Sequence, residues 1–248
     1  MPIQYAECTF SYGKRRNILE SLELTFPEGH TVLLGPNGAG KSTLLGLGAS
    51  AMRPRRGRVL YDGLDTALRR TAAEYRRRIG WMPQRIDCLS GLTAREQVAY
   101  AGWLKGMARS DAWARSLEAL RSVELGDSID RPVKHLSGGQ LRRVGVAQSL
   151  VHGAEVLLLD EPTAGMDPRQ RRVFHDVLAG LRGRVQVVVS THDVVDLDSS
   201  YDSVVVLLGG QVEFQGPVDE FSRLAPSDTS PGRLFEGAYA AVTEADAR

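Results

Sequence analysis

Cysteine is scarce in this sequence, whose 248 residues contain only Cys8 and Cys88. Two thiols are too few for a disulfide framework or a structural zinc cluster, so neither class of protein fits the chain. Their scarcity is consistent with a reducing compartment. The fold must therefore depend on a hydrophobic core, for which a chain of this length is ample.

A net charge of one sign is also missing. The 31 Lys and Arg residues nearly balance the 30 Asp and Glu residues, which leaves a formal charge of +1. The whole molecule has no general attraction to nucleic acid or anionic lipid, and we expect no nucleic-acid partner. The sequence is 42% hydrophobic and 25% charged, which is typical of a globular protein and not of a disordered one.

Long apolar runs are absent as well. The best uncharged run, residues 42–52, is shorter than the roughly 18 residues that a transmembrane helix needs, and Gly46 and Gly48 interrupt it. The N-terminus has no basic flank followed by an apolar stretch, so no secretory signal is predicted. We therefore expect a cytoplasmic protein that acts on a membrane only through a partner.

One local excess of charge occurs between residues 53 and 78. Nine arginines stand there against three acidic residues, a local balance of +6. Such a block can bind nucleic acid, but only Tyr61 and Tyr75 are interleaved with it, too few for a base-stacking platform. We interpret the stretch as a solvated face or as contacts within one part of the fold.

Hydrophobic periodicity predicts alternating strands and helices along most of the chain. The apolar runs at 156–159 and 185–189 do not alternate with polar residues, which is typical of strands buried on both faces of a parallel sheet. The other predicted elements are strands within the first 34 residues and at 79–82, 204–208 and 211–214, and helices at 41–52, 139–151 and 169–180. This order predicts an α/β core with a mostly parallel sheet.

The region between residues 83 and 132 is predicted to be a helical insert. Thr93 and Glu96 have the spacing of a capping box, so a helix is expected to begin near residue 94. A second helix is expected at 111–123, with Trp113, Leu117 and Leu120 on one stripe.

A glycine-rich segment with a lysine lies between a predicted strand and a predicted helix. It consists of Gly35, Pro36, Asn37, Gly38, Ala39, Gly40, Lys41, Ser42 and Thr43. Glycines allow consecutive N–H groups to surround a phosphate, and the start of the helix adds a partial positive charge. Lys41 can reach the β- and γ-phosphates, and the Ser42 hydroxyl can bind Mg²⁺. The segment predicts a nucleotide-binding phosphate loop and not a chance glycine-rich turn.

Two carboxylates, Asp160 and Glu161, follow the buried strand at 156–159. They would repel each other and be poorly solvated there unless a magnesium nucleotide neutralised them. Ligands of open α/β sheets bind at the carboxyl ends of the strands, beside the phosphate loop. Asp160 is therefore predicted to bind Mg²⁺, directly or through water, and Glu161 to act as general base for the attacking water. A solvated strand end would be the better interpretation only if this motif stood alone.

A second anion-binding pattern opens the helix predicted at 139–151. Its residues are Leu136, Ser137, Gly138, Gly139 and Gln140. A serine at a helix start can be a simple cap, but its hydroxyl, the backbone N–H groups and the helix dipole can also bind a phosphate. At these residues the sequence resembles the ATP-binding cassette (ABC) ATPases, whose signature it matches without a mismatch. The resemblance extends from about residue 3 to residue 224.

The resemblance implies a P-loop NTPase fold with a mostly parallel core sheet, an N-terminal antiparallel β-subdomain and a helical insert. It implies an ATPase domain at residues 2–226, with the insert at 83–132. Residues 227–248 are rich in small and polar side chains and are expected to form a short helix or a loose end.

The resemblance also assigns roles to residues whose type alone means little. It implies that Tyr12 stacks on adenine and that Gln84 touches Mg²⁺ and the attacking water. It implies that His192 is the switch histidine that contacts the γ-phosphate, and that Asp167 is the D-loop aspartate. Met166 stands where leucine is commoner in the family, which is a mild departure.

In the family, two cassettes pack head to tail, and each ATP lies between the phosphate loop of one and the signature helix of the other. Ser137, Gly138, Gly139 and Gln140 are therefore expected to serve the partner's ATP. The implied partners are a second cassette, identical or different, and transmembrane permease subunits, at the cytoplasmic face of the membrane.

Two other classes of protein share parts of this pattern with a transporter subunit. A soluble ABC ATPase acting on nucleic acid or ribosomes usually carries coiled coils, zinc-binding cysteines or fused cassettes, and none of these is seen in the sequence. A kinase or GTPase with the same phosphate loop lacks the residues at 136–140. The stretch 91–98 looks like multidrug or antibiotic exporters, and the chain stops soon after the core, without the added domain of some sugar importers. We therefore expect export, with import as the alternative; the sequence does not indicate the substrate.

Overall fold

The computed structural model describes residues 2–13, 16–197 and 200–246. The strands in this part of the chain are β1 (Ile3–Phe10), β2 (Leu19–Thr25), β3 (His30–Leu34), β4 (Arg56–Tyr61), β5 (Leu64–Asp65), β6 (Ile79–Met82), β7 (Val156–Asp160), β8 (Gln186–Thr191), β9 (Ser203–Leu208) and β10 (Gln211–Pro217). The α-helices are α1 (Lys41–Gly48), α2 (Arg69–Arg78), α3 (Ala94–Leu104), α4 (Arg109–Ser122), α5 (Gly138–Leu150), α6 (Pro168–Ala179), α7 (Val218–Ser222) and α8 (Leu234–Asp246).

Two sheets organise these strands. The core sheet has the order β10-β9-β3-β8-β7-β6, in which only β10 pairs antiparallel with its neighbour. The second sheet is antiparallel throughout and has the order β2-β1-β4-β5. The predicted α/β fold, with a mostly parallel core sheet and an N-terminal antiparallel sheet, is confirmed.

The core sheet is buried on both faces, which accounts for its apolar strands. Along β7, Leu157 and Leu159 belong to one hydrophobic cluster, whereas Val156 and Leu158 belong to another. The first cluster includes residues of α3 to α8, and the second includes residues of α1 and the antiparallel sheet. Because successive side chains of a strand point to opposite faces, a strand between two such clusters requires an unbroken apolar run.

The insert contains the two predicted helices, and the capping box is confirmed. Thr93 Oγ1 accepts a hydrogen bond from Glu96 N at 3.2 Å, and Glu96 Oε2 accepts one from Thr93 N at 2.8 Å. The reciprocal pair satisfies two N–H groups that the first turn of a helix leaves open, so α3 begins at residue 94.

Along the predicted stripe of α4, Leu120 is buried and Leu117 is half-buried, whereas Trp113 is exposed. The buried residues of this helix are Ala112, Ser116, Ala119 and Leu120. Trp113 is 44% exposed, and the Arg95 guanidinium lies 3.9 Å from the centre of its ring. The small residues allow α3 and α4 to pack closely, and Trp113 contacts Arg95 of α3 from an exposed position.

The arginine-rich stretch contains β4, β5 and α2, which periodicity did not indicate. The buried residues of α2 are Ala72 and Tyr75, too few to give the sequence an apolar repeat. Arg78 forms ion pairs with Asp62 at 2.7 Å and with Glu74 at 2.8 Å. The stretch thus combines exposed arginines with contacts inside one part of the fold, in keeping with its interpretation.

The helix predicted at 41–52 ends earlier, at residue 48. Ser50 has a φ of 55°, which a continuing α-helix does not allow. A Cβ on Gly48 would lie 2.3 Å from the hydroxyl oxygen of Tyr5, so a glycine is required where α1 crosses β1. The apolar residues after 48 belong to the turn that leads towards β4 and not to the helix.

The C-terminal part ends in a hairpin and a helix. The turn between β9 and β10 is Gly209-Gly210, and both residues have positive φ, as a two-residue hairpin turn requires. Beyond it, α8 packs against α7, β10 and the 3₁₀ turn Val194–Asp196. Four of its residues contribute to the core, which are Phe235, Ala238, Tyr239 and Val242. The tail therefore contains a packed helix. Across the described ranges, no helix is long and apolar enough to cross a membrane.

Candidate nucleotide site

The predicted phosphate loop joins β3 to α1 at the carboxyl end of the strand. Gly38 and Gly40 have φ values of 86° and 104°, which L side chains rarely adopt. Gly40 is the N-cap of α1, so the free N–H groups of the first helical turn open onto this loop. Pro36, Asn37 and Gly38 are exposed, whereas Ala39 is buried. The loop can therefore surround an anion with backbone donors at a helix start.

Lys41 is buried at the base of the loop. Its Nζ donates to Gly35 O at 2.6 Å and to Pro36 O at 3.1 Å, and it lies 3.8 Å from Glu161 Oε1. Burial lowers the pKa of Lys41, and the nearby Glu161 and Asp160 partly oppose this effect. Lys41 therefore has a partly desolvated positive charge. A phosphate interacts more strongly with such a charge than with one that is fully in water.

Ser42 and Asp160 meet across the site. Ser42 Oγ donates to Asp160 Oδ1 at 3.1 Å, and Ser190 Oγ donates to the same oxygen at 2.7 Å. Ser42 is exposed and Asp160 is buried, so a hydroxyl and a carboxylate lie side by side next to the phosphate loop. Hard oxygen donors of this kind, with phosphate oxygens, are the ligands that Mg²⁺ takes at nucleotide sites. The residues present therefore fit the ion.

Glu161 collects contacts from two other predicted site residues. Gln84 Nε2 donates to Glu161 Oε2 at 3.1 Å, and His192 Nδ1 lies 3.2 Å from Glu161 Oε1. The glutamate has a φ of 45°, and its N–H is held by the carbonyl and the hydroxyl of Ser190 at 3.1 and 3.0 Å. A strained backbone that several bonds hold in place is typical of a functional position.

Tyr12 stands at the outer rim of the same site. Its ring is 51% exposed and rests edge-on against Phe10, with 5.0 Å between the ring centres. Its hydroxyl lies 3.4 Å from Thr43 Oγ1 and 3.6 Å from Met52 Sδ. These contacts attach an exposed aromatic face to the helix that follows the phosphate loop, where it can stack on a base.

The signature residues open α5 as a complete capping box. Ser137 Oγ accepts from Gln140 N at 3.3 Å, and Gln140 Oε1 accepts from Ser137 N at 3.0 Å. Since the serine hydroxyl only accepts here, its own hydrogen stays available for an anion. Gly138 is exposed, and Gly139 lies against the side chain of Gln170.

The structure does not bring every predicted residue to one place. Among the described residues, no hydrogen bond or ion pair joins residues 136–140 to the phosphate loop. Asp167 also lies outside the cluster around Glu161, because its Oδ1 caps α6 by accepting from Arg169 N at 2.9 Å and Gln170 N at 2.8 Å.

Two residues at the site make contacts that could not be predicted from motifs. Ser190 binds both Asp160 and Glu161, and Arg142 donates from Nη1 to the backbone carbonyl of Gln84. The only sequence signals are the position of Ser190 just before Thr191-His192 and that of Arg142 just after the signature. Neither spacing identifies the partner.

Comparison with known proteins gives a consistent family. Residues 19–164 match the model of the ABC transporter family. The chain is 40% identical over 220 residues to the cobalt import ATP-binding protein CbiO of Rhodobacter capsulatus, covering 87% of this chain and 79% of that protein. It is 38% identical over 234 residues to the energy-coupling factor transporter ATP-binding protein EcfA2 of Symbiobacterium thermophilum, covering 92% and 80%.

Solved structures agree with the sequence matches. The ATP-binding cassette MJ0796, solved as a dimer in a post-hydrolysis state with ADP and phosphate, superposes with a TM-score of 0.76 at 27% identity. The match covers 87% of this chain and 98% of that one. Together with the phosphate loop and the cluster around Glu161, these matches identify the chain as a member of the ABC transporter family, in which it is an ATP-binding subunit and an ATPase.

Proposed function

We propose that ATP is bound and hydrolysed between two cassettes, with the phosphate loop of one facing the signature helix of the other. The observation that carries this proposal is the division of the site. One chain gathers Lys41, Ser42, Asp160 and Glu161, while Ser137 stands apart with a hydroxyl hydrogen to donate. The similar cassette MJ0796, solved as a dimer bound to ADP and phosphate, supports a dimeric arrangement.

In this proposal each residue of the cluster has a separate task. Lys41 and the loop amides bind the β- and γ-phosphates, and Tyr12 stacks on adenine. Glu161 orients the attacking water and accepts its proton, and His192 contacts the γ-phosphate. Gln84 holds the second oxygen of the glutamate.

Ser42 and Asp160 are the residues that would hold Mg²⁺, with Gln84 as a further ligand. Mg²⁺, when bound, neutralises charge that develops on the phosphate oxygens. The 3.1 Å contact between Ser42 Oγ and Asp160 Oδ1 keeps the hydroxyl and the carboxylate beside the end of the phosphate loop, where those oxygens would lie.

We further propose that the cassette works peripherally at the cytoplasmic face of a membrane, on separate permease subunits. Both curated relatives described above are named as ATP-binding proteins of transporters, one of them for import. The expectation of export finds no support in these names, and we therefore propose the import alternative. Substrate selection then belongs to the permease.

The direction is tested in proteoliposomes that contain the cassette together with its permease subunits, with the cassettes facing outward. Vesicles are loaded with labelled Co²⁺, the ion named for the CbiO relative, and ATP is added outside. Import predicts ATP-dependent loss of label from the lumen. ATP-dependent uptake by empty vesicles would show export, and the Glu161→Gln cassette serves as the control without hydrolysis.

A further inference from the structure

We propose that Asp196 is a positioning residue for ATP hydrolysis, which rests on the roles proposed above for Glu161 and His192. It lies in the 3₁₀ turn Val194–Asp196, only 2% exposed, four residues after His192. Its carboxylate contacts side chains from three segments around the site, although it does not itself touch Glu161 or His192.

One carboxylate oxygen joins the two loops that carry these residues. Asp196 Oδ2 accepts from Thr163 Oγ1 at 2.8 Å and from Thr191 Oγ1 at 2.6 Å. Thr163 follows Glu161 by two residues, and Thr191 immediately precedes His192. Two buried hydroxyls on a single oxygen therefore fix the spacing between the glutamate loop and the histidine loop.

The other oxygen reaches a third segment. Asp196 Oδ1 accepts no hydrogen bond from the described residues and is paired by charge with Arg171, whose Nη1 lies 3.3 Å away. The same nitrogen donates to Asp193 Oδ2 at 3.3 Å. Arg171 belongs to α6, one turn after Asp167, which caps that helix. The carboxylate thus links the segments of Glu161, His192 and Asp167 to one another.

Because Asp196 is buried, its carboxylate depends on the protein contacts described above and not on water. A carboxylate removed from water is costly unless it is paired and hydrogen-bonded, and a buried polar network orders its members only when its bonds are satisfied. An amide cannot keep the contacts of both carboxylate oxygens. If the amide oxygen of an asparagine accepts from the two hydroxyls, its NH₂ group faces the Arg171 guanidinium, which is also a donor. If the NH₂ group faces the hydroxyls instead, both hydroxyls must change from donating to accepting. Asp196→Asn should therefore loosen the loops without removing any group that touches ATP.

The primary test compares Asp196→Asn with wild type in steady-state hydrolysis and in equilibrium binding of ATP. We expect kcat to fall at least tenfold while ATP affinity stays within twofold. Thr31→Val is the matched control, because Thr31 is fully buried on β3 and its hydroxyl has no partner among the described residues. A kcat within twofold of wild type would overturn the inference, and so would a loss of ATP affinity parallel to the loss of kcat.

The two threonines give a second test, which decides the matter if Asp196→Asn does not fold. Thr163→Val and Thr191→Val remove one hydroxyl each with little change of shape, whereas Thr163→Ser and Thr191→Ser keep it. We expect lower kcat in both valine variants and recovery to within about threefold of wild type in both serine variants. Equal rates for the valine and serine variants would overturn the inference.

Glu161→Gln and His192→Ala belong in the same assay, because they separate the two levels of the proposal. If both nearly abolish hydrolysis while Asp196→Asn does not, only the positioning role fails. If both retain hydrolysis, the roles proposed for Glu161 and His192 fail, and the inference that rests on them fails with them.

Discussion

The imidazole of His192 meets the carboxylate of Glu161, with 3.2 Å between Nδ1 and Oε1. Gln84 approaches the other oxygen of the same carboxylate at 3.1 Å. The three side chains belong to different loops at the carboxyl ends of β6, β7 and β8, which are neighbours in the core sheet. Because the three side chains converge on Glu161, we expect a change at this residue to separate ATP binding from ATP hydrolysis.

Glu161→Gln is expected to lower kcat at least a hundredfold and to leave ATP binding intact. The amide cannot accept the proton of the attacking water, but it keeps the size of the side chain. The variant should also accumulate as an ATP-dependent dimer, detectable by size-exclusion chromatography with light scattering. A variant that no longer binds ATP would argue against this role for Glu161.

Lys41→Ala is expected to weaken ATP binding at least tenfold in equilibrium titrations. The ammonium is buried, and charge-assisted hydrogen bonds of such groups contribute about 1.5–3 kcal/mol. Lys134→Ala, which removes the same charge from an exposed position, should have little effect on binding by the monomer. Equal affinities for the two variants would count against the phosphate-loop assignment.

Tyr12→Ala is expected to raise the Kd for ATP by about tenfold, because stacking of a base on an aromatic ring contributes about 1–3 kcal/mol. Tyr12→Phe keeps the ring and loses only the long contacts of the hydroxyl with Thr43 and Met52, so it should bind ATP nearly as the wild type does. If alanine and phenylalanine variants bind alike, the ring does not stack on adenine.

Ser137→Arg is expected to prevent the ATP-dependent dimer while monomeric ATP binding persists. The long cation would occupy the helix start where the partner's γ-phosphate must fit. The change is made in the Glu161→Gln background and followed by light scattering, with Ser110→Arg at the exposed start of α4 as the control. Normal dimers of Ser137→Arg would remove the signature helix from the interface.

The buried His152 is expected to lower the stability of the fold as the pH falls. Burial, with a smaller effect of Lys105, lowers the pKa of His152 to about 4. The unfolded chain, with a pKa near 6.5, therefore binds the proton first as the pH falls, and stability is lost between about pH 6.5 and pH 4. Between pH 7 and pH 5 the wild type should lose about 2 kcal/mol more unfolding free energy than His152→Leu, measured by urea denaturation. Identical losses would contradict this prediction.

Much of the nucleotide site is predictable from the sequence, because backbone geometry dictates residue types there. Gly38 and Gly40 occupy left-handed conformations, and the Ser137 and Gln140 pair satisfies the first turn of α5. The apolar run of β7 is likewise required by burial on both faces. In these places the local sequence contains the physical reason for the structure.

Other features depend on contacts that no local pattern contains. Only Ala72 and Tyr75 of α2 are buried, so its arginine-rich sequence has no apolar repeat from which the helix could be predicted. Trp113 shares a stripe of α4 with Leu120, yet it is exposed under the Arg95 guanidinium while small residues of the helix are buried. Asp196 acquires Thr163 and Arg171 as partners only when the segment after β7 and the helix α6 pack against the turn after β8.

The last helix, α8, packs against the 3₁₀ turn that carries Asp196, and its Ala238 is fully buried. Truncation of the chain at residue 226, to obtain a minimal enzyme, would expose the apolar surface that α8 covers. It would also remove the helix that packs against that turn. Slower ATP hydrolysis by such a truncated enzyme would then reflect the lost support of the turn and not the loss of a residue that acts on ATP.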